Sequence, residues 1–416
     1  MVKIVFITLG TESAGEMTIA LEFAVRLPAD RFDIIFLVPR KFAFFFRDKR
    51  QRFNHYSLNP KKGKEKNREE ILDFFKTQKP HMAVVSDPYT MEYAFSWSGF
   101  RFSHLKELGI PVVGVDEFEY PSTDYRIDYY GGLVKQLPPF IEECDVILRN
   151  CPLNVPRVTS QKIKNYSFIG GNKKLSREIR KTVRENLGIA EEEKMIFFAT
   201  SNWEHMILNK IAPLATFLKW RPIIFENYLN LVKGKVALVH VGPDPLGVNK
   251  RRFKCLNLKN VAPLDYEKYL LASDLFITFN IVSVTLSKAV FGEVPSIVLQ
   301  NDKVINFKKL QERLTQMPGW YQDMAGEVKK VFPFKTSSFG WHEFLKPVLR
   351  DNDYLNTFLR VPFFKMEEVV SSIEMLLFDS AAAALLKEKQ QLYVENMLRL
   401  PTPGKVLEEI INENKI

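Results

Sequence analysis

The segment from Asn280 to Thr285 gathers three small polar residues, Asn280, Ser283 and Thr285, where the apolar run Leu275 to Phe279 gives way to a helical pattern. A second apolar run, Ser296 to Leu299, follows, so the stretch reads as strand, helix, strand. In open α/β sheets ligands collect outside the carboxyl ends of the strands, and the amides opening the next helix favour an anion. This turn is therefore predicted to hold a phosphate. Ser201 and Asn202 stand after another apolar run, Met195 to Ala199, and read either as helix caps or as further ligand contacts. Asp87 and Asp116 close the runs Met82 to Ser86 and Val112 to Val115. Aspartate also caps helices and opens turns, but Asp116, followed by Glu117 and Glu119, is the better candidate for binding or orienting a substrate. His240 lies alone within a strand and reads as a satisfied core residue. The 6 histidines show no ligand spacing, so no metal is expected.

The elements that must position these residues follow from composition and period. A chain of 416 residues that is 46% hydrophobic can bury more than one core, so two domains are expected. The net charge of +10 implies attraction to anions, whether nucleotide, nucleic acid or an acidic membrane face. Met1 to Gly10 reads as a buried strand, not a signal peptide, and no run approaches the roughly 20 apolar residues of a spanning helix. Cys144, Cys151 and Cys255 lack CxxC spacing and read as free thiols of a reducing cytoplasm.

Lys3 to Leu9, Phe32 to Val38, Met82 to Ser86, Val112 to Val115 and Val146 to Leu148 are predicted as parallel strands, with an amphipathic helix at Met17 to Leu27. Val146 to Leu148 is read as the last strand of the first half. Pro152, Pro156, Gly170 and Gly171 mark a weakening of pattern between the halves. A second series runs through Met195 to Ala199 and Val236 to Val241 into the phosphate turn. Residues 302 to 365 resist assignment, and the tail from Met366 to Arg399 is helical in composition. The predicted class is α/β, with doubly wound parallel sheets.

These motifs allow a resemblance to be drawn. From Asn280 to Pro295 the chain resembles, without a gap, the donor segment His-Gly-Gly-x-Gly-Thr-x-x-Glu-Ala-x-x-x-Gly-x-Pro of the GT-B superfamily of nucleotide-sugar glycosyltransferases. Asn280 falls on the family's His, Thr285 on its Thr, Lys288 on its Glu, Ala289 on its Ala and Glu293 on its second-to-last Gly, while Ile281 and Val282 replace the paired glycines. The stretch TLGTESAGEMTIALEFAVRL is similar to the family's first loop and helix, with Gly15 and Glu16 on its Gly-His pair.

The resemblance implies two Rossmann-like domains facing a cleft: an acceptor domain over 1–155, a linker over 156–171, a donor domain over 172–380 and a helical segment over 381–416 returning to the first domain. It implies transfer of a sugar from a nucleotide-diphosphate donor to a hydroxyl or amine of a small molecule, glycan or lipid. Ser201, Asn202, Asn280, Ser283, Thr285 and Lys288 would bind the donor. Glu16 would be the acceptor-side base and Asp116 its neighbour at the acceptor. Lysine cannot accept a hydrogen bond from a ribose hydroxyl, but Lys288 could neutralise a diphosphate. No cofactor and no specific nucleic acid are expected. The mixed aromatic and basic run Arg40 to Arg68 offers either peripheral contact with the inner membrane face or a solvated loop with buried rings. The alternatives are a nucleotide-sugar epimerase of the same architecture, or a binding protein that has lost turnover, for which Lys288 is the best support.

Overall fold

The computed structural model describes residues 1–11, 14–46, 53–122, 139–151, 154–155, 160–201, 212–248, 253–259, 261–300, 314–331 and 342–414. Strands β1 (Val2–Ile7), β2 (Phe32–Pro39), β3 (Asn54–Leu58), β4 (Met82–Val85), β5 (Val112–Asp116), β6 (Val146–Cys151) and β7 (Ile163–Ser167) form one sheet, in the order β3-β2-β1-β4-β5-β6-β7. Strands β8 (Lys194–Ala199), β9 (Val236–Val241), β10 (Lys254–Leu258), β11 (Leu275–Thr278), β12 (Ser296–Gln300) and β13 (Leu359–Pro362) form a second, in the order β10-β9-β8-β11-β12-β13. Each described strand pair is parallel. Parallel strands need helical crossovers on both faces, which is why runs such as Ile4 to Ile7 and Met82 to Val85 are apolar throughout and fully covered.

The crossovers of the first sheet include α1 (Gly15–Ala24), α2 (Lys64–Gln78) and three short helices, α3 (Pro88–Tyr93), α4 (Phe95–Ser98) and α5 (Phe102–Glu107). Those of the second include α6 (Arg177–Asn186), α7 (Ala212–Leu231), α8 (Pro263–Ala272) and α9 (Val284–Phe291). Among the described residues no single helix is long and apolar enough to cross a membrane. Most of the aromatic run after β2 is structural: Phe42 and Phe45 are buried, and Phe46 stacks on His55 with ring centroids 4.6 Å apart.

Strand β7 is a departure from the sequence reading, which ended the first sheet at Val146 to Leu148. It lies inside the stretch read as linker and pairs with β6 along its length. Its polar residues hid it. Lys164, only 9% exposed, and Asn165 are covered because the helix Pro403–Asn414 packs on this edge, bringing Glu413 to 2.8 Å from the Lys164 ammonium. That helix also meets Arg31 through Glu408, so the end of the chain lies against the first sheet.

Candidate functional site

On the first sheet, the carboxyl ends of β1, β4 and β5 bring three acidic side chains together. Glu16, in the first turn of α1, is 7% exposed. Its carboxylate lies so close over Gly10 that a Cβ there would sit 2.3 Å from Glu16 Oε1 and 2.6 Å from Thr90 Cγ2. Glycine at this loop thus makes room for the acid. Burial pushes the Glu16 carboxyl well above its ordinary range, and nearby Asp87 and Glu117 push it further, against hydrogen bonds from Gly10 and Thr90. Asp87 is the N-cap of α3, its Oδ1 accepting from the amides of Tyr89 (2.8 Å) and Thr90 (3.2 Å). Glu117 follows β5, and its carboxyl is likewise held well up by burial and by Asp87 and Asp116.

Asp116 is fully buried, its carboxylate 3.7 Å from Arg149 Nε on the adjacent strand. Successive strand residues point to opposite faces, so its neighbour Glu117 takes the open side. Glu117, Asn150 and Phe168 line a crevice whose other wall is Ile281, Val282, Val284, Ser287 and Tyr354. Glu117 is therefore a site candidate that the sequence reading passed over in favour of Asp116. Glu16 is not part of this lining and stands against Gly10. The crevice is narrow: its cavity is about 10 Å³, room for one water molecule. Ile281, 0% exposed, fills the position of the first paired glycine in the resemblance.

On the second sheet the strand order reverses between β8 and β11, which is where a doubly wound sheet opens a ligand crevice. Ser201 ends β8's turn, and among the described residues its buried Oγ has no hydrogen-bond partner. Asn202 lies outside the described residues. Asn280 closes a tight turn, its Oδ1 accepting from the Val282 amide at 3.0 Å. Ser283 is the N-cap of α9 and makes no side-chain cap bond. Thr285 Oγ1 is 2.9 Å from the Tyr266 hydroxyl. His240 is fully engaged, with Thr200 Oγ1 at 3.1 Å on one ring nitrogen and Asn257 Oδ1 at 3.0 Å on the other, and burial lowers its pKa. That makes it the satisfied core histidine expected from sequence.

Lys288 is already paired. Its ammonium is 2.8 Å from Glu22 on α1 and also donates to Glu267 on α8. Those carboxylates outweigh burial and raise its pKa. Glu293, on a glycine position of the resemblance, has φ of 54°, the left-handed conformation that suits glycine. Its carboxylate is held by Asn172 (3.1 Å) and Lys174 (2.7 Å).

Two parallel sheets with this crevice between their carboxyl edges define the GT-B fold. The chain itself belongs to a family of unknown function, DUF6365, whose model matches residues 23–414. No curated protein sequence matches it. Among solved structures it is similar to HepE of Anabaena in complex with UDP-glucose, at 11% identity over 99% of this chain and 100% of that one, TM-score 0.57. It is similar too to a glycosyltransferase from Rickettsia africae, at 13% identity, 100% and 99% coverage and TM-score 0.55. A third likeness is to a structure assigned as a UDP-N-acetylglucosamine 2-epimerase from Listeria monocytogenes, at 10% identity, 97% and 92% coverage and TM-score 0.51.

Proposed function

We propose that the protein transfers a sugar from a nucleotide-diphosphate donor to a hydroxyl or amine acceptor. The observation that carries this reading is the pairing of a polar switch point with an opposed acid. Ile281, Val282 and Val284 of the turn opening α9 stand on one wall of the crevice and Glu117 on the other, while Ser201, whose buried hydroxyl has no hydrogen-bond partner among the described residues, follows β8 next to β11. The donor's diphosphate would meet the Ser201 hydroxyl, the first amides of α9 and the Ser283 and Thr285 side chains, with Asn202 adjoining. As the bond to the sugar carbon breaks, negative charge grows on the departing diphosphate, and fixed amides facing it lower the barrier. The acceptor's proton would pass to the acid set of Glu16 and Glu117, of which Glu117 reaches the crevice. Asp116 would hold Arg149 and the end of β5 in register.

Either acid takes a proton only when ionised, so kcat/KM should rise with pH through a value above the ordinary 4.5. The UDP and UDP-glucose bound to HepE support a nucleotide-sugar donor by likeness of fold. The test is a thermal-shift series with UDP, UDP-glucose and thymidine diphosphate, followed by assay of sugar release and transfer. A ligand at about 100 times its Kd adds roughly 2.7 kcal/mol to the folded state. Stabilisation together with turnover supports transfer. Stabilisation without turnover leaves a binding protein, and no stabilisation by any of the three refutes the donor reading.

The gathering of Glu16, Asp87 and Glu117 at one sheet edge also suits proton transfer at a sugar carbon, and so supports epimerisation as a second reading. Recovery of a sugar epimer, not a glycosylated acceptor, would select it.

A further inference from the structure

Four charges meet between α1 and α9. Lys288 lies 2.8 Å from Glu22 and is bonded to Glu267. Lys173, a few residues beyond β7, lies 3.7 Å from the same Glu22 and 3.3 Å from the same Glu267. The side chains are 13% to 25% exposed. Lys288 and Glu267 come from the second domain, Lys173 from the segment leading into it, and Glu22 from the first. Glu22 is thus the member that crosses. Its neighbour Arg26 does not draw it away: that guanidinium donates to the Glu22 and Phe168 carbonyls.

We propose that Glu22 is an internal occupant of an anion site formed by Lys288 and Lys173, an autoinhibitory contact that holds the cleft shut until a nucleoside diphosphate displaces it. This rests on the proposed donor reading. The crevice beside this contact has room for one water, and a diphosphate that reaches Lys288 and Lys173 must displace Glu22, as a parting of the domains would do. Separation withdraws Glu22 but not Glu267. Lys173, Lys288 and Glu267 then carry a net positive charge within a turn of Thr285 and the opening of α9, where an anion can replace the departed carboxylate. Glu267 keeps both ammonium groups in place meanwhile, so the site is assembled before the ligand arrives. Because a ligand's apparent affinity falls with the fraction of competent molecules, the contact also sets how tightly the diphosphate binds.

The experiment compares the wild-type chain with Glu22→Gln, Glu22→Asp and Lys288→Gln, using UDP and uridine as ligands and small-angle scattering for domain separation. For Glu22→Gln we expect roughly tenfold tighter UDP binding, a smaller gain for uridine, which needs the open cleft but not the two ammonium groups, and a larger radius of gyration without ligand. Lys288→Gln should give the larger radius without the gain in affinity, since it removes the cation too. Glu22→Asp, with a shorter arm and the same charge, should fall between wild type and Glu22→Gln, and guards against a folding defect in the latter. Unchanged UDP affinity and an unchanged scattering profile in both Glu22 variants would overturn the proposal. If neither UDP nor uridine binds any of the proteins, the donor reading fails, and scattering alone decides the contact: an unaltered radius in both Glu22 variants refutes it.

Discussion

Replacing Glu16 by glutamine should make the chain's stability less sensitive to pH, and the size of the effect follows from the acid's surroundings. The Glu16 carboxyl is pushed above 4.5 by burial and by Asp87 and Glu117, so between pH 4.5 and its folded pKa the folded chain holds a proton that the unfolded chain has released. Stability falls with pH wherever the folded state binds more protons, at about 1.4 kcal/mol per pH unit for one group. The contribution is complete below 4.5 and is lost as pH rises to the folded value; from pH 4.5 to pH 6 the loss is at most about 2 kcal/mol. Glutamine does not titrate and so escapes it. Loss of one hydrogen bond to Gly10 or Thr90 adds an offset, but a constant one. Glu117 and Asp87 titrate in both proteins, so only their coupling to Glu16 remains in the difference. Urea midpoints at half-unit steps from pH 4.5 to 6 would measure this, reading the shift in midpoint because a chain with two domains need not unfold in one step. Glu16→Gln should gain on wild type steadily across the series. A difference independent of pH would mean that folding leaves the Glu16 pKa unchanged, and wild type gaining on the variant that Glu16 is an ionised partner in the fold; either would remove it as a tunable acid.

Asp274 accepts from Arg180 (2.7 Å), Arg184 (2.9 Å) and the Met195 amide (2.7 Å), so Asp274→Ala strands the buried Arg184 guanidinium. It should cost about 3 kcal/mol, seen as a lower urea midpoint; a change within error would show that water replaces the carboxylate. Ile281→Ala empties a side chain that is 0% exposed at the crevice wall, and should cost about 2–3 kcal/mol while leaving UDP binding no weaker. Loss of UDP binding in a folded Ile281→Ala would show that the isoleucine shapes the site and does not merely fill it.

The sheets were legible wherever burial is two-sided. Runs such as IVFI and MAVV announce parallel strands because both faces are covered by helices. Strand β7 was not legible, because Lys164 is buried by a partner 249 residues later and no local pattern records that. The turn opening α9 could be read from Asn280 and Ser283, since a polar turn after an apolar strand has a local physical meaning. The acidic cluster of the first sheet could be read only as far as the strand end. Two consecutive acids, Asp116 and Glu117, were visible, but which faces the crevice depends on the phase of β5 against its neighbours.

The departures from the donor motif show how far a spacing argument reaches. Glu293, on a glycine position of the resemblance, has a left-handed backbone, at a cost of about 1–2 kcal/mol, offset by its bonds to Asn172 and Lys174. Lys288 is different. Its position on α9 was fixed by counting, and its charge suggested a phosphate, but its environment is set by Glu22, Glu267 and Lys173, none of them near it in sequence. A buried ammonium is tolerable only with such partners. Sequence spacing thus locates a side chain along its helix, whereas the chemistry it can perform is decided by what the rest of the fold brings to it. Here the fold brings Glu22 of α1 to Lys288, and this position of α9 cannot be described without α1.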